Sequence, residues 1–442
     1  MEGPPRGPSW FKPEPFFARD VKNWRPGDAV VIDDQALAFP TALSKVPAGS
    51  YWAVAVMDFN RGEQSFSAAS GNGYSKPVRV QIGPAGDRRI DLRIDQVVPQ
   101  RKYAESASVK LVDMESQLLS QFHGRATHLR AVVILPASFE RSGQKHYPVI
   151  YDIPGFGGNY LIAQRMAARI TDVAGTEMLY VVLDPSCSLG HHVFADSANN
   201  GPCGRALVEE LIPQIEKQFR GIGVPGARFV TGHSSGGWSS LWLQVTYPDF
   251  FGGVWSTSPD PVDFRDFQRI NIYNTQSNFF ADESGKPRPL ARMNGKPVLF
   301  YKPFSDMEVV MGHGGQLSSF EAVFSPRGAD GRPQQLWNRM TGRIDPQVAR
   351  SWEKYDIRLV LERNWKTLGP KLAGKLHVYT GSEDTFYLEG AVALLKASLA
   401  KLGSDAVIEI VPGRDHGTLR DEAMRQRIAR EIAAAFRRSP AH

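Results

Sequence analysis

"FVTGHSSGGWSS" (229–240) is the stretch on which the fold turns. Within it Gly232, His233, Ser234, Ser235 and Gly236 fit the pattern Gly-x-Ser-x-Gly. Short patterns match by chance, so the flanks decide. Upstream, "ARFVTG" (227–232) reads as a strand, and downstream "SGGWSSLWLQVTY" (235–247) reads as a helix. Ser234 therefore sits at a strand-to-helix junction, where a tight turn lifts a serine hydroxyl above a sheet. Gly232 and Gly236 leave room where that turn crowds neighbouring backbone, and the helix directs its positive end at charge developing there. A serine at its own pKa is a poor nucleophile, so a base must stand nearby.

Outward from this junction the chain alternates. Apolar, β-branched runs occur at 147–154, 178–184, 251–257, 375–381 and 406–413, as expected for strands buried on both faces. "ASVKLVDMES" and "HLRAVVILP" (128–136) read as an antiparallel pair ahead of them. Helical candidates lie between, at 160–173, 203–220, 387–403 and 421–438. In the second, Leu207, Leu211, Ile215 and Phe219 make one apolar face. Strands alternating with helices predict an α/β architecture with a doubly wound, mostly parallel sheet over residues 103–442. Residues 1–102 differ in texture: short alternating runs at 50–59, 76–83 and 91–98, separated by turns, predict an N-terminal all-β, sandwich-like domain. Residues 258–372 hold neighbouring sheet strands apart by far more than a normal connection and predict a cap- or lid-like insertion, with Trp337, Trp352 and Trp365 inside it.

Chain order narrows the base. In this architecture serine, acid and histidine follow one another. After Ser234 come His313 in the insertion, His377 in a strand, the terminal His442, and His416 in "VPGRDHGTL", a glycine-flanked loop after the last strand. His416 is the expected base. The acid should end the preceding strand, where "HVYTGSEDTFY" offers Glu383 and Asp384; Asp384 is preferred, with Asp260 and Asp263 of "STSPDPVDF" as a second option. Asp415, adjacent to His416 in the chain, should point away from the ring. An oxyanion hole needs two backbone donors. Ser235 supplies one, and "PGFGGNY" after the strand at 147–154 supplies the other, assigned to Phe156, with Gly155 or Gly157 as options.

The net charge of 52 − 46 = +6 is spread along the chain, and no Lys/Arg run interleaved with aromatics argues for nucleic acid. No run of 18 apolar residues is present to span a membrane. Neither a phosphate-binding loop nor a dinucleotide motif occurs, and no cofactor or metal is expected; His191 and His192, beside Asp196, are read as shaping the pocket rim. The two cysteines, Cys187 and Cys203, lie in one loop and suggest a bridge worth about 3 kcal/mol. The first residues carry no signal sequence, but such a bridge would favour a periplasmic or secreted setting.

"LLSQFHGRATHLRAVVILP", "IPGFGG", "ADSANNGPCGRALVEELIPQIEKQFR", "GHSSGGWSSLWLQVTYPDFFGGVWSTSPD" and "GRDHGTL" together resemble the Putative esterase (esterase D-like) family of α/β-hydrolases. That family includes feruloyl esterases, siderophore esterases and S-formylglutathione hydrolases. The resemblance implies Ser234 as nucleophile, His416 as base and Asp384 as acid, matching the choices above. It implies a serine hydrolase cleaving carboxylic esters, on small-molecule or carbohydrate-linked substrates. An acyltransferase using the same acyl-enzyme, or a non-catalytic envelope- or glycan-binding protein on this scaffold, are the other readings. The long insertion is not a usual feature of the family.

Overall fold

The computed structural model describes residues 7–83, 86, 89–100, 103–166 and 168–441. Its centre is an eight-stranded mixed sheet. The strands are β1 (Val109–Glu115), β2 (His128–Ile134), β3 (Val149–Ile153), β4 (Leu179–Leu183), β5 (Arg228–His233), β6 (Gly253–Thr257), β7 (Leu376–Gly381) and β8 (Val407–Val411). They lie in the order β1-β2-β4-β3-β5-β6-β7-β8. β1 pairs with β2 and β2 with β4 antiparallel, and every other pairing is parallel. This is the α/β-hydrolase fold expected from the alternating texture.

The sheet is covered on both faces. Along β3 the residues alternate between two apolar clusters: Val149, Tyr151 and Ile153 join one, Ile150 the other. That is the two-residue period of a strand, with apolar residues on both sides. Against the first face pack the helical run 203–218, which contains a π-helical segment at Leu207–Leu211, and α1 (Ser235–Thr246). The insertion contributes a β-hairpin (Pro289–Met293 and Lys296–Phe300) and helices α2 (Tyr301–Met311), α3 (Gln316–Phe324) and α4 (Ile357–Leu372). The hairpin turns at Asn294 and Gly295, both at positive φ (49° and 74°), the Asn-Gly pair that a tight hairpin favours. α5 (Glu389–Lys401) follows β7, and α6 (Glu422–Arg438) lays Ile428, Ile432 and Phe436 on the second face.

The insertion belongs to the main core. Trp337 and Trp352 are fully buried in the same cluster as Val230 of β5. Phe324 lies 5.1 Å from Trp238 of α1 and 5.0 Å from Trp352, ring centroid to centroid. Residues 7–100 contain β-strands of two to five residues in three small sheets, plus one 3₁₀ turn at Leu43–Lys45.

Two expectations are corrected. The apolar stretch 160–173 is no α-helix: it forms 3₁₀ turns at Tyr160–Arg165 and Ala168–Thr171 and then enters a strand at Asp172–Val173. Met166 closes the first turn in extended backbone (φ −87°, ψ 131°), which stops a helix there. Cys187 and Cys203 are free thiols. Both donate to Asn200, Cys187 to its side-chain oxygen at 3.6 Å and Cys203 to its carbonyl at 3.3 Å. Burial pushes the Cys187 thiol up to about 12 and Cys203 upward as well, so both keep their protons. The argument for an oxidising compartment goes with the bridge. No helix among the described residues is long and apolar enough to cross a membrane.

The junction between β3 and α1 leaves no space for a side chain. A Cβ on Gly236 would lie 1.9 Å from the Ile153 carbonyl oxygen, and one on Gly232 would lie 2.1 Å from the Gly236 oxygen. Gly236→Ala is therefore expected to destabilise the fold by about 1–3 kcal/mol or more, read as a lowered thermal midpoint. An unchanged midpoint would contradict this packing.

Candidate active site

Ser234 joins β5 to α1 with φ 60° and ψ −126°, left-handed backbone that a non-glycine residue rarely adopts. Three hydrogen bonds hold it: its amide donates to Thr257 (3.0 Å), and its carbonyl accepts from Trp238 (3.0 Å) and Asp260 (3.2 Å). The side chain is partly exposed at the N-terminus of α1.

β7 and β8 bring Asp384 and His416 together across 32 positions. His416 Nδ1 lies 2.9 Å from Asp384 Oδ2. Asp384 is fully buried, and its other oxygen accepts from the Phe386 amide at 2.9 Å. The His416 ring is held between His233 at 4.4 Å and the edge of Phe386 at 5.0 Å. Burial alone would lower the His416 pKa, but the charge and hydrogen bond of Asp384, then the charges of Asp260 and Asp415, raise it above the ordinary 6.5. His233, by contrast, is held well below its ordinary value by burial and by the neighbouring His416 and Arg420.

The other acids separate cleanly. The Glu383 side chain points outward, 3.8 Å from Arg292 and about half exposed. Asp415 caps its own turn through the Thr418 amide and hydroxyl. Asp263 is committed to Arg265 and Arg358. Asp260 is different: buried, it accepts from Ser235 Oγ at 2.5 Å. Burial pushes its carboxyl up to about 6, tempered by the Ser235 hydroxyl, the charge of His416 and the Ser234 hydroxyl. Gln316 Nε2, from the insertion, reaches the same Ser235 hydroxyl at 3.4 Å. The remaining histidines lie elsewhere, His313 beside Asp58 and His377 stacked 4.5 Å from Trp255.

The loop after β3 lies against the nucleophile turn. A Cβ on Gly155 would stand 3.2 Å from Ser234 Cβ and 3.0 Å from the His233 carbonyl oxygen. Among the described residues, the Phe156 amide has no backbone acceptor. His191 anchors this loop. Its Nδ1 accepts from the Val193 amide at 3.1 Å, so the proton sits on Nε2, which donates to the Pro154 carbonyl at 2.8 Å. Burial lowers His191 to about 4 and His192 to about 3, so both stay neutral. This corrects the reading of these two as rim residues: both are buried, and His192 turns back to accept from Phe194.

Beside the loop is a cavity of about 330 Å³, lined among others by Trp10, Gln64, Phe156, Phe304, Glu308 and Gln316. Trp10 packs 5.9 Å from Phe156 and 5.0 Å from Phe304. The N-terminal region, the loop after β3 and the insertion thus meet at one opening. Trp10 and Gln316 escaped the sequence reading because no local pattern marks a residue whose partner lies far along the chain, 81 positions away for Gln316 and Ser235.

The family described as Putative esterase matches residues 125–396. The chain belongs to this Esterase family. It is accordingly a hydrolase of the α/β-hydrolase class, and ester hydrolysis is its reaction class. Among solved structures it is similar to a ferulic acid esterase at 16% identity, covering 74% of this chain and 97% of that one with a TM-score of 0.47. It is also similar to an S-formylglutathione hydrolase from Agrobacterium tumefaciens (13% identity, 75% and 95% covered, TM-score 0.45). A third is FphF, a fluorophosphonate-binding serine hydrolase from Staphylococcus aureus (16%, 74% and 98%, TM-score 0.43). Comparison with curated proteins gives no match.

The electrostatics make one expectation. By NMR titration the His416 imidazole should titrate above 6.5. Asp260→Asn removes a negative charge that favours the imidazolium, so the midpoint should move down. A wild-type midpoint at or below 6.5 would contradict the arrangement.

Proposed function

We propose that this protein is a carboxylic-ester hydrolase acting through an acyl-enzyme, with Ser234 as nucleophile, His416 as general base and Asp384 as the acid that orients it. The observation that carries the reading is the 2.9 Å contact from His416 Nδ1 to a fully buried Asp384, on the loops beside the Ser234 turn. With its Nδ1 proton given to Asp384, the neutral imidazole has a bare Nε2 to accept the Ser234 proton.

The chemistry runs in two halves. Ser234 Oγ attacks the ester carbonyl as His416 Nε2 takes its proton. The Ser235 and Phe156 amides donate to the oxyanion, which the helix end also favours. Collapse breaks the bond to the alkoxy group, which leaves as the alcohol with the proton from His416. Water then gives a proton to His416 and attacks the acyl carbon, and the acid departs as Ser234 recovers its proton.

The aromatic cavity beside Phe156 supports an acyl or alcohol moiety with an apolar face. Residues 1–102 read as a separate all-β domain, and the insertion 258–372 as a lid, each giving one wall of that cavity. Asp384 is preferred to Asp260 as triad acid because its carboxylate lies 2.9 Å from His416 Nδ1, whereas the Asp260 carboxylate accepts from Ser235 Oγ.

The test is hydrolysis of p-nitrophenyl acetate and butyrate by the wild type, Ser234→Ala and His416→Ala. Both substitutions should lower kcat at least about 10³-fold. Wild-type turnover by Ser234→Ala would overturn the assignment. The acidic limb of kcat/KM should fall above pH 6.5, because the base must lose the proton that Asp384 favours.

A further inference from the structure

The insertion reaches the catalytic machinery from behind, through one side chain. Arg292 lies on the first strand of the insertion's hairpin, 92 positions before Asp384. Its Nε donates to the Asp384 carbonyl at 3.0 Å and its Nη2 to the Ser382 carbonyl at 3.2 Å. Its own amide donates to the Thr385 carbonyl at 2.8 Å. Three successive contacts along 382–385 therefore come from one residue of a different element.

The guanidinium is itself fixed in place. Its outer end pairs with Glu389 Oε1 at 2.7 Å, at the start of α5. Its face lies 4.7 Å from the ring of Tyr387, whose φ of 59° turns the acid loop back on itself. The Arg292 side chain is 15% exposed, so water competes little for these bonds. A planar fork with donors in fixed directions suits this task, and a lysine does not reproduce it.

We propose that Arg292 is a positioning residue for the triad acid: by holding the Ser382, Asp384 and Thr385 carbonyls it fixes the Asp384 carboxylate against His416. The insertion is then part of the catalytic support as well as a wall of the substrate cavity. This rests on the assignment of Asp384 as the acid. The Asp384 carboxylate touches His416 and the Phe386 amide, whereas Arg292 meets Asp384 at its backbone carbonyl, so its effect is on placement.

The test combines kinetics with chemical rescue. Loss of aim by about 1 Å costs on the order of 10²-fold, so Arg292→Ala is expected to lower kcat about ten- to a hundredfold with KM nearly unchanged. The acidic limb of its kcat profile should move to lower pH, because a loosened Asp384 favours the imidazolium less. A cavity of about 440 Å³ opens beside Arg292, Tyr387 and Glu389, so added guanidinium should restore some of the lost kcat. Arg269→Met, which removes the cation from the other contact with Tyr387, should leave kcat and the profile as in the wild type.

Wild-type kcat in folded Arg292→Ala overturns the proposal, as does a loss that guanidinium does not restore and that leaves the pH profile in place. If Arg292→Ala does not fold, Arg292→Lys decides: reduced kcat with a downward-shifted limb supports positioning, and wild-type values overturn it. Asp384→Asn separates the two claims. If it retains wild-type activity, the acid assignment itself fails; if it collapses while the Arg292 variants stay at wild-type rate, only the role of Arg292 fails.

Discussion

The left-handed backbone at Ser234 is the constraint around which the rest of the molecule is arranged. A non-glycine residue at φ 60° costs on the order of 1–3 kcal/mol and persists only where its surroundings leave no alternative. Here the surroundings come from three strands. β6 accepts the Ser234 amide through Thr257, the loop after β6 donates to its carbonyl through Asp260, and Gly236 presses on the end of β3 at Ile153. Because these contacts join β3, β5 and β6 at one point, the loop after β3, the Ser234 turn and a buried carboxyl converge there. α1 then leaves the junction with nearly every residue buried, so the turn cannot relax without opening the core.

Charge at the site is managed by burial as much as by pairing. Asp384 and Asp260 are both buried within reach of His416, and their charges favour its protonated form. The neighbouring histidines are kept out of that exchange. His233, tilted against His416 with ring centroids 4.4 Å apart, is pushed well below its ordinary pKa, and His191 is lowered to about 4. A neutral His191 is a fixed donor to Pro154 whatever the protonation of His416. The result is a set of neutral histidines around two groups that are both pushed upward, the His416 imidazole and the Asp260 carboxyl, the latter to about 6.

Much of this was legible in the sequence, for a physical reason in each case. Strands β3 to β7 are buried on both faces, so β-branched runs such as "YPVIYDIP" and "MLYVVLD" stand out. The Ser234 turn needs glycines on either side, and those glycines are the motif. Chain order pointed to His416 and to the loop after β7, where Asp384 was preferred over its neighbour Glu383, because the sheet's connectivity brings these successive loops together. What remained hidden depends on contacts between distant segments. The run 160–173 carries apolar residues at a helical density, yet it forms two short 3₁₀ turns, the first closed by Met166. Two cysteines in one loop suggested a bridge, whereas both thiols are satisfied by Asn200. Arg292 sits in "LARMNGKP", where the Asn-Gly turn announces a hairpin and nothing announces that its arginine meets Ser382 and Asp384. Asp260 was visible as an acid after β6, but its contact with the Ser235 hydroxyl was not.

The central claim is that the Ser234 turn presents an activated nucleophile, and adjacent serines make it sharply testable. The measurement is mass spectrometry of the protein after reaction with a fluorophosphonate, with fragmentation to locate the phosphonyl group. The account predicts a single adduct on Ser234 Oγ that disappears in Ser234→Ala and forms far more slowly in His416→Ala. An adduct on Ser235, or none on the folded wild type, would contradict it.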